Sequence, residues 1–279
     1  MNVDDLTGVV VHHRNFPGVL ETIGDLLKEG VRAERTVVVN NSEDTEIESA
    51  LASGLPTGVS LLNIQNRGYG NAVNVGIDWV REKCVSALAV AICTHEIRIR
   101  DGAIVNLLHE LERDPSLGVV GPVFVRSSDT KVVWSAGGQI SRLTGRPYHA
   151  VSIPQLPAPR DWIDGAMNLY RISALENLRV DERFFMYYEE VDFHLRLAGH
   201  GWRVAVVPDS VVEQDTAGAP PYYVGRNGYL FSKRHSNAWQ LSMLLFREML
   251  RLMIRGSRGD SRFGALRAFL KGVADGVRN

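Results

Sequence analysis

The stretch NRGYGNAVNVGIDWVREKCVSALAVAICTHE, residues 66–96, combines a glycine turn, a helical pattern and an apolar run. Residues 70–84 have apolar side chains at helical spacing, and residues 86–94 are almost all apolar. An unbroken apolar run is typical of a strand that is buried on both faces, as the inner strands of a parallel sheet are. The stretch therefore predicts a helix that leads into a central strand of a parallel sheet.

The same alternation of strand and helix continues on both sides of this stretch. Pro17 and Gly30 delimit a helical pattern near the N-terminus. The other expected elements are strands at residues 7–13, 35–45, 58–66 and 117–125 and a helix at residues 101–114. This alternation predicts an α/β fold with a mostly parallel central sheet, flanked by helices and joined by right-handed crossovers. In such sheets, ligands bind beyond the carboxyl ends of the strands.

The composition is that of an ordinary globular protein. The chain has 279 residues, of which 45% are hydrophobic and 23% charged, and its net charge of −1 gives no reason to expect a nucleic acid partner. Two cysteines do not make a disulfide framework and favour a reduced, cytoplasmic protein. The polar start MNVDDLTG is unlike a signal peptide, and no uncharged apolar run reaches the length of about 18 residues that a membrane span needs.

The C-terminal part of the chain is basic. Residues 226–279 contain 11 Lys and Arg against 3 Asp and Glu. Every three or four residues an arginine recurs, at Arg247, Arg251, Arg255 and Arg258. This pattern is typical of a helix at a membrane interface, and equally of a helix packed on the body with its arginines in water. We expect one domain at residues 1–235 and an amphipathic, basic, helical extension at residues 236–279. Peripheral contact with the inner membrane face and a homodimer are both left open.

A second stretch, DERFFMYYEEVDFHLR at residues 181–196, places carboxylates among aromatic rings. Set beside the glycine turn, it resembles the GT-A-fold inverting glycosyltransferases of family 2, in the bacterial rhamnosyltransferase-like branch, over residues 7–235. The residues that carry the resemblance are Asn66, Gly68, Tyr69, Gly70, Asn74, Asp181, Phe184, Phe185, Tyr188, Glu189, Glu190, Asp192, Arg196, Pro208 and Asp209. The resemblance implies transfer of a sugar from a nucleotide-diphosphate donor, UDP- or dTDP-linked, to a hydroxyl of a glycan, a lipid-linked glycan or a natural product.

The resemblance assigns the general base to Glu190, where the family has an aspartate. An acceptor hydroxyl must lose a proton as it attacks, so a carboxylate has to lie within hydrogen-bond distance of it. Glu189 and Asp192 stand beside Glu190 at the predicted start of a helix, where negative charge is favourable without any catalytic role. All three are expected catalytic residues, with helix capping as the alternative for one or two of them.

The family's metal motif follows its fourth strand, and the aligned residues here are Thr94, His95 and Glu96. Glu96 takes the place of the metal-binding aspartate, and Gln214 takes the place of a second ligand that is often histidine. Carboxylate oxygens suit Mg²⁺ or Mn²⁺. Threonine and glutamine are weak replacements for the family's ligands, which predicts a loosely held divalent cation. Direct contact with phosphate is the alternative for His95.

The donor is expected at the strand ends and the glycine turn. The resemblance places donor contacts at His13, Arg14, Asn40, Asn41, Asp44, Asn66, Gly68, Tyr69, Asn74, Thr94, His95 and Arg226. It places contacts with the sugar or the acceptor at Trp162, Asp164, Gly165 and Tyr188. Surface charge is the alternative for Arg14, and core packing is the alternative for Trp162. Residues 127–160, rich in Gly, Pro and Ser, predict a hairpin and loops that wall the site.

Three other functions compete with sugar transfer. A non-catalytic sugar-nucleotide or glycan-binding protein on the same fold would explain the altered metal motif. A nucleotidyltransferase should have a glycine-rich loop and an activating lysine after the first strand, and an NAD enzyme should have a G-x-G-x-x-G turn there. The chain instead reads HHRNFPG at residues 12–18. The intact group of acids at residues 189–192 favours an active transferase.

Overall fold

The structure is a computed structural model that describes residues 1–216, 218–255 and 261–278. Its strands are β1 (Leu6–His12), β2 (Thr36–Asn40), β3 (Ser60–Asn63), β4 (Ala89–Thr94), β5 (Arg98–Ile99), β6 (Leu117–Val125), β7 (Val133–Ser135), β8 (Gly138–Ile140), β9 (Pro147–His149), β10 (Ala158–Pro159), β11 (Met167–Arg171) and β12 (Arg203–Glu213). Its α-helices are α1 (Phe16–Lys28), α2 (Thr45–Gly54), α3 (Tyr69–Lys83), α4 (Ala103–Arg113), α5 (Ile172–Leu175), α6 (Glu189–Gly199), α7 (Pro221–His235), α8 (Ala238–Arg255) and α9 (Arg262–Arg278). Arg258 of the predicted basic stripe lies outside the described residues.

The central sheet contains two groups of parallel strands. Strands β4, β1, β2 and β3 lie side by side in that order and are parallel. Strand β12 pairs with β6 in parallel, and β11 lies between the two groups, antiparallel to both β4 and β6. The predicted α/β fold with a central sheet and flanking helices is confirmed. The sheet is mixed, because β11 and the short strands β5, β7 and β10 pair antiparallel with their neighbours.

Parallel strands bring polar residues to one edge of the sheet. Every residue of β1 and β2 is buried, and α3 packs closely on β1. A Cβ at Gly76 of α3 would lie 2.3 Å from Val9 Cγ1, so only glycine allows this approach. The carboxyl ends of β1, β2, β3 and β4 meet at what we call the strand-end edge. It comprises residues 12–15, 40–44, 63–67 and 94–96.

Two elements show where the sequence pattern was informative and where it was not. Helix α2 lies between β2 and β3, where the sequence predicted no helix. Asp44 caps this helix by accepting hydrogen bonds from the backbone N–H groups of Glu46 (3.0 Å) and Ile47 (3.2 Å). The hairpin predicted within residues 127–160 is present as β8 and β9, which pair antiparallel.

The C-terminal helices differ in how they contact the body. Helix α9 packs on α7 so closely that only glycine fits at two contact positions. A Cβ at Gly225 would lie 2.2 Å from the Phe269 carbonyl oxygen, and one at Gly272 would lie 2.0 Å from the Tyr222 carbonyl oxygen. Helix α8 has an exposed apolar face that consists of Trp239, Phe246, Leu250, Met253 and Ile254. None of the helices in the described ranges has the length and apolar content that a membrane crossing requires. Helix α9 therefore packs on the body, whereas α8 leaves an apolar face exposed to solvent.

Candidate active site

The segment before α6, residues 184–188, has a strained backbone. Phe185, Tyr187 and Tyr188 have φ angles of 63°, 71° and 72°, in the left-handed region that bulky residues avoid. Each such residue costs roughly 1–2 kcal/mol relative to right-handed backbone. Strain of this kind persists only where surrounding contacts enforce it, and it is concentrated at functional sites.

Asn227 of α7 enforces this conformation. Its Nδ2 atom donates to the carbonyl oxygens of Phe184 at 2.9 Å, Met186 at 2.7 Å and Tyr187 at 2.9 Å. The neighbouring Arg226 donates from Nη1 to the Phe184 carbonyl oxygen at 3.2 Å and to Asn227 Oδ1 at 2.9 Å. The Arg226 side chain, expected at the donor diphosphate, thus contributes here to a clamp on residues 184–188.

The glycine turn holds the same segment from the opposite side. The backbone N–H of Tyr69 donates to the Phe185 carbonyl oxygen at 2.6 Å. A Cβ at Gly68, whose φ is 97°, would lie 2.2 Å from that oxygen, so no other residue fits without displacing the chain. Asn66 Oδ1 accepts from the Gly68 N–H at 3.1 Å. The two sequence motifs that carry the family resemblance therefore pack directly against each other.

The strained segment ends in Glu189 and Glu190, the first two residues of α6. One oxygen of each carboxylate, Oε2, is buried and has no hydrogen-bond partner in the described structure. Both residues line a cavity of about 20 Å³ together with Tyr69, Gly165 and Asn168, which is room for about one water molecule. Carboxylates that are buried without partners destabilise the fold and are a typical sign of function.

The environment of this pair changes both of its acid–base equilibria. Burial raises the pKa of Glu190 to about 7, and the charge of Asp164 adds to this effect. Burial also raises the pKa of Glu189, with the charge of Glu190 as the second cause. A carboxylate whose pKa lies near the working pH can accept a proton and release it again, as a general base must.

Asp192, the third expected catalytic acid, is surrounded by cations. Its carboxylate accepts from Arg196 Nε at 2.8 Å and from Arg234 Nη1 at 2.6 Å, and it lies 2.8 Å from His235 Nε2. The residue is fully buried. These contacts fix α6 to α7, so the geometry gives Asp192 a structural role and leaves Glu189 and Glu190 at the cavity.

At the strand-end edge, polar side chains satisfy one another. Asn40 Oδ1 lies 2.9 Å from His12 Nδ1 and accepts from Ser42 Oγ at 2.6 Å, while Asn40 Nδ2 donates to Asn63 Oδ1 at 2.9 Å. Within this group of side chains, the buried His12 Nε2 atom has no hydrogen-bond partner. Asn40, the expected contact for the nucleotide base, thus uses its amide inside the protein.

The other expected donor residues divide into two groups. His13 and Asn41 lie together, with His13 Nδ1 3.2 Å from Asn41 Oδ1, and Arg14 is exposed beside them with a φ of 64°. Asn74, by contrast, is buried and links α3 to Val180, whose backbone N–H and carbonyl it binds at 3.0 and 2.9 Å. Asp44 caps α2, as described above. The first group lies at the strand-end edge, where Arg14 is exposed, His13 is half-buried and Asn41 is buried. The second group stabilises the fold.

The position of the metal motif is occupied by a hydrogen-bonded pair. His95 Nδ1 lies 3.1 Å from the Val11 carbonyl oxygen, and His95 Nε2 lies 3.3 Å from Glu96 Oε1. Asn15 Nδ2 also donates to Glu96 Oε1 at 3.2 Å, and the hydrogen bond from His95 is the main cause that lowers the pKa of Glu96 to about 2. The backbone N–H of Thr94 donates a hydrogen bond to the Ala166 carbonyl oxygen at 2.8 Å.

The residues fit a divalent cation only in part. Glu96 offers an ionised carboxylate whose side chain is 53% exposed. The backbone N–H of Gln214 pairs with the Val125 carbonyl oxygen at 2.9 Å, and no contact joins Gln214 to Glu96 in the described structure. Across the described ranges, no three His, Cys, Asp or Glu side chains form a group that could hold a metal ion. A cation here would need ligands in addition to Glu96.

On the acceptor side, the expected residues adopt different roles. Trp162 is 3% exposed and packs with Phe184 and Phe231, which leaves no ring face for a sugar. Gly165 lies against the side chain of Glu190, since a Cβ on it would be 3.5 Å from Glu190 Cβ, and its carbonyl oxygen accepts from Tyr69 Oη at 2.6 Å. Tyr188 stacks at a tilt on Phe231, with ring centroids 5.6 Å apart.

Asp164 is part of a group that sequence reasoning did not find. Its carboxylate accepts a short hydrogen bond from Ser135 Oγ and lies 3.4 Å from His149 Nδ1. Ser135 and His149 come from β7 and β9, in a region whose weak pattern predicted only a hairpin and loops. Asn227, which clamps residues 184–188, was likewise not among the expected site residues. No spacing rule links residues that meet through tertiary contacts of this kind.

Comparison with known proteins yields relatives of one kind. No protein-family model matches the chain. The chain is 31% identical, over 235 residues, to N-acetylglucosaminyl-diphospho-decaprenol L-rhamnosyltransferase of Mycobacterium tuberculosis, in strains CDC 1551 and H37Rv. The match covers 73% of this chain and 72% of each relative. The resemblance to rhamnosyltransferase-like enzymes is thereby confirmed.

Solved structures of glycosyltransferases share the fold. GalNAc-T7 with UDP, GalNAc and Mn²⁺ superimposes with a TM-score of 0.61 at 14% identity, covering 98% of this chain, which spans 55% of the length of GalNAc-T7. The mannosyltransferase PcManGT from Pyrobaculum calidifontis, in complex with GDP-Man and Mn²⁺, gives a TM-score of 0.54 at 15% identity and covers 98% of this chain and 75% of its own. At these identities the likeness establishes the GT-A fold.

Proposed function

Because the chain belongs to the rhamnosyltransferase-like glycosyltransferases of GT-A fold, we propose that it transfers L-rhamnose from a dTDP-linked donor to a lipid-linked glycan. The relatives named above are L-rhamnosyltransferases that act on N-acetylglucosaminyl-diphospho-decaprenol. Their sugar motivates the proposed donor, and their lipid-linked substrate motivates the proposed acceptor. The observation that carries the proposal is the carboxylate pair Glu189 and Glu190, each with one buried oxygen that lacks a hydrogen-bond partner beside a small cavity.

The reaction we propose is a single displacement. An acceptor hydroxyl attacks the anomeric carbon, its proton passes to a carboxylate oxygen of Glu190, and the bond from the anomeric carbon to the diphosphate oxygen breaks. The new bond forms on the face opposite the leaving group, so the anomeric configuration inverts. Glu189, whose pKa is raised by burial and by Glu190, holds a proton beside the base and keeps a second negative charge out of the cavity.

The diphosphate that leaves must have its negative charge neutralised. Arg14 and Arg67 follow β1 and β3 at the strand-end edge, and neither pairs with a carboxylate among the described residues. His95 lies beside Glu96 at the same edge and is oriented by the Val11 carbonyl oxygen. A divalent cation, when bound, would add Lewis-acid stabilisation of the leaving oxygens, and Glu96 would be its protein ligand.

The exposed face of α8 suits an acceptor that is anchored in a membrane. It presents Trp239, Phe246 and Ile254 to solvent, next to Arg247. Aromatic and aliphatic side chains flanked by arginine favour the boundary between lipid headgroups and acyl chains. We therefore place the enzyme at the inner membrane face as a peripheral protein, with α8 against the lipid.

A non-catalytic sugar-nucleotide-binding protein is the second candidate. The specific observation in its favour is the pair His95 and Glu96, which are hydrogen-bonded to each other where a transferase of this fold has its metal ligands. Such a protein should bind nucleotide sugar and release it unchanged.

The test of the proposed function is a transfer assay with dTDP-L-rhamnose and a short-chain N-acetylglucosaminyl-diphospho-lipid, in Mg²⁺, in Mn²⁺ and in EDTA. The proposal expects a rhamnosylated lipid by mass spectrometry, with inverted anomeric configuration by NMR. Lower activity in EDTA would support a cation at Glu96, and equal activity would assign neutralisation to the arginines and His95. Binding of dTDP without transfer or donor hydrolysis would favour the non-catalytic candidate.

A further inference from the structure

His149 lies at the mouth of the site on the edge strand β9. Its imidazole makes edge contacts with two indole rings, with centroid distances of 5.6 Å to Trp134 and 4.9 Å to Trp162. The side chain is 42% exposed, whereas that of Asp164 beneath it is 10% exposed. The ring is thus held on both flanks and open to solvent on one side.

One ring nitrogen of His149 is fixed by the protein. Nδ1 lies 3.4 Å from Asp164 Oδ1 and 3.4 Å from Ser135 Oγ, and Ser135 itself donates to the other oxygen of Asp164. A carboxylate at Nδ1 orients the ring and keeps the proton on that nitrogen. Nε2, in contrast, makes no hydrogen bond in the described structure.

This arrangement lies beside the proposed base. Gly165 follows Asp164 and packs on the side chain of Glu190, with a constructed Cβ 3.5 Å from Glu190 Cβ. Burial lowers the pKa of His149, but the hydrogen bond and charge of Asp164 and the charge of Glu190 outweigh burial and raise it overall. The charges of His149 and Glu190 interact, and each affects the pKa of the other.

A buried histidine of the same protein shows what a purely structural role looks like. His194 is fully buried, and both of its ring nitrogens are bonded. Its Nδ1 accepts from the Ile163 backbone N–H at 3.1 Å, and its Nε2 lies 2.8 Å from Tyr170 Oη. His149 differs in both respects, because it is exposed and has a free ring nitrogen.

We propose that His149 binds the acceptor sugar, with Nε2 on a hydroxyl next to the one that Glu190 deprotonates. The inference rests on the proposed function and extends it to an acceptor residue. A sugar hydroxyl both donates and accepts hydrogen bonds, so it pairs with Nε2 in either protonation state of the ring. Asp164 and Ser135 are positioning residues in this arrangement, and Trp134 forms an apolar wall beside the sugar.

Two substitutions distinguish the role of Nε2 from that of Nδ1. His149→Gln places an amide near the position of Nε2, and His149→Asn places an amide near the position of Nδ1. We expect the acceptor KM to rise about tenfold in His149→Asn, the loss typical of one hydrogen bond, and clearly less in His149→Gln. Binding of dTDP should stay within about twofold in both, because it does not involve the acceptor. His200→Gln, at an exposed histidine remote from the site, is the matched control.

Each outcome of this series decides a different claim. The reverse order, with His149→Asn the better enzyme, would assign the function of His149 to its contact with Asp164 and overturn the inference. Two variants with wild-type acceptor KM would also overturn it and leave the proposed function standing. A wild-type protein that neither transfers nor hydrolyses the donor would remove the proposed function, and the inference with it.

Discussion

Two regions of the site handle polar groups in opposite ways. At the strand-end edge, His12, Asn40 and Asn63 form a chain of hydrogen-bonded side chains. At the start of α6, the carboxylates of Glu189 and Glu190 each have one buried oxygen without a hydrogen-bond partner. The backbone that leads to them includes positive φ angles at Phe185, Tyr187 and Tyr188.

The hydrogen-bonded strand-end edge is suited to binding the donor, and the unpaired carboxylates at the start of α6 are suited to catalysis. At the strand-end edge the side chains bond one another, although His12 Nε2 is buried without a partner, and such a network forms a rigid surface on which a donor can bind. Carboxylates that lack partners, held by a strained backbone, store unfavourable free energy that a substrate or a proton relieves. The strand-end edge should therefore tolerate substitution with modest losses, and the start of α6 should not.

The largest effect on stability is expected at the clamp that maintains the strain. Asn227→Ala removes the partner of the Phe184, Met186 and Tyr187 carbonyl oxygens. We expect a loss of about 3 kcal/mol in the free energy of unfolding and at least about a hundredfold loss of transfer, since misplacing a catalytic group by about 1 Å has that effect. Urea unfolding and the transfer assay measure both. Asn177→Ala, at an exposed asparagine, is the control, and equal behaviour of the two variants would remove the clamp.

A slightly smaller effect is expected at the glycine turn. An alanine at Gly68 would need a strained φ of 97° and would bring Cβ to 2.2 Å from the Phe185 carbonyl oxygen. We expect Gly68→Ala to lower the free energy of unfolding by about 2 kcal/mol. Gly24→Ala in α1 is the matched control of opposite sign, because nothing lies within 4 Å of its Cβ and alanine favours a helix by about 1 kcal/mol. Thermal unfolding of the two variants should shift in opposite directions.

The raised pKa of Glu190 predicts how activity and stability depend on pH. Because the pKa of Glu190 is raised to about 7, kcat/KM should fall about tenfold per pH unit below that value, as the base becomes protonated. Stability has the opposite dependence. A carboxyl group with a folded pKa above its unfolded pKa binds more protons when folded, so the free energy of unfolding decreases as pH rises between the two values.

Glu190→Gln should therefore be more stable than wild type above pH 7 and gain nothing near pH 4. Urea unfolding of both proteins at pH 5 and pH 8 checks this, with Glu176→Gln at an exposed glutamate as the control. A constant difference between Glu190→Gln and wild type across this range would contradict the raised pKa.

The smallest effect is expected at the strand-end edge. Asn63→Ala removes the acceptor for Asn40 Nδ2 and leaves a buried donor without a partner. We expect a loss of about 1 kcal/mol in the free energy of unfolding, with dTDP affinity reduced by no more than a few-fold and the pH profile of transfer unchanged. A loss as large as that of Asn227→Ala would abolish the distinction between the two regions.

Much of the strand-end edge followed from sequence, because apolar runs locate parallel strands and parallel strands place their ends together. The roles of individual residues followed less well. Asp192 belongs to a motif, but its partners Arg234 and His235 lie 42 and 43 residues further on, beyond any local pattern. Helix α2 was missed because its polar start resembles a turn. His149 was missed because an isolated histidine in a hairpin carries no periodic signal.

The central claim is that Glu190 is the general base of a glycosyltransferase, and one measurement tests it most directly. It compares Glu190→Gln with wild type in the transfer assay and in calorimetric binding of dTDP. The account predicts a loss of transfer of about a thousandfold, with dTDP affinity within a few-fold of wild type. Transfer at the wild-type rate by Glu190→Gln would contradict it.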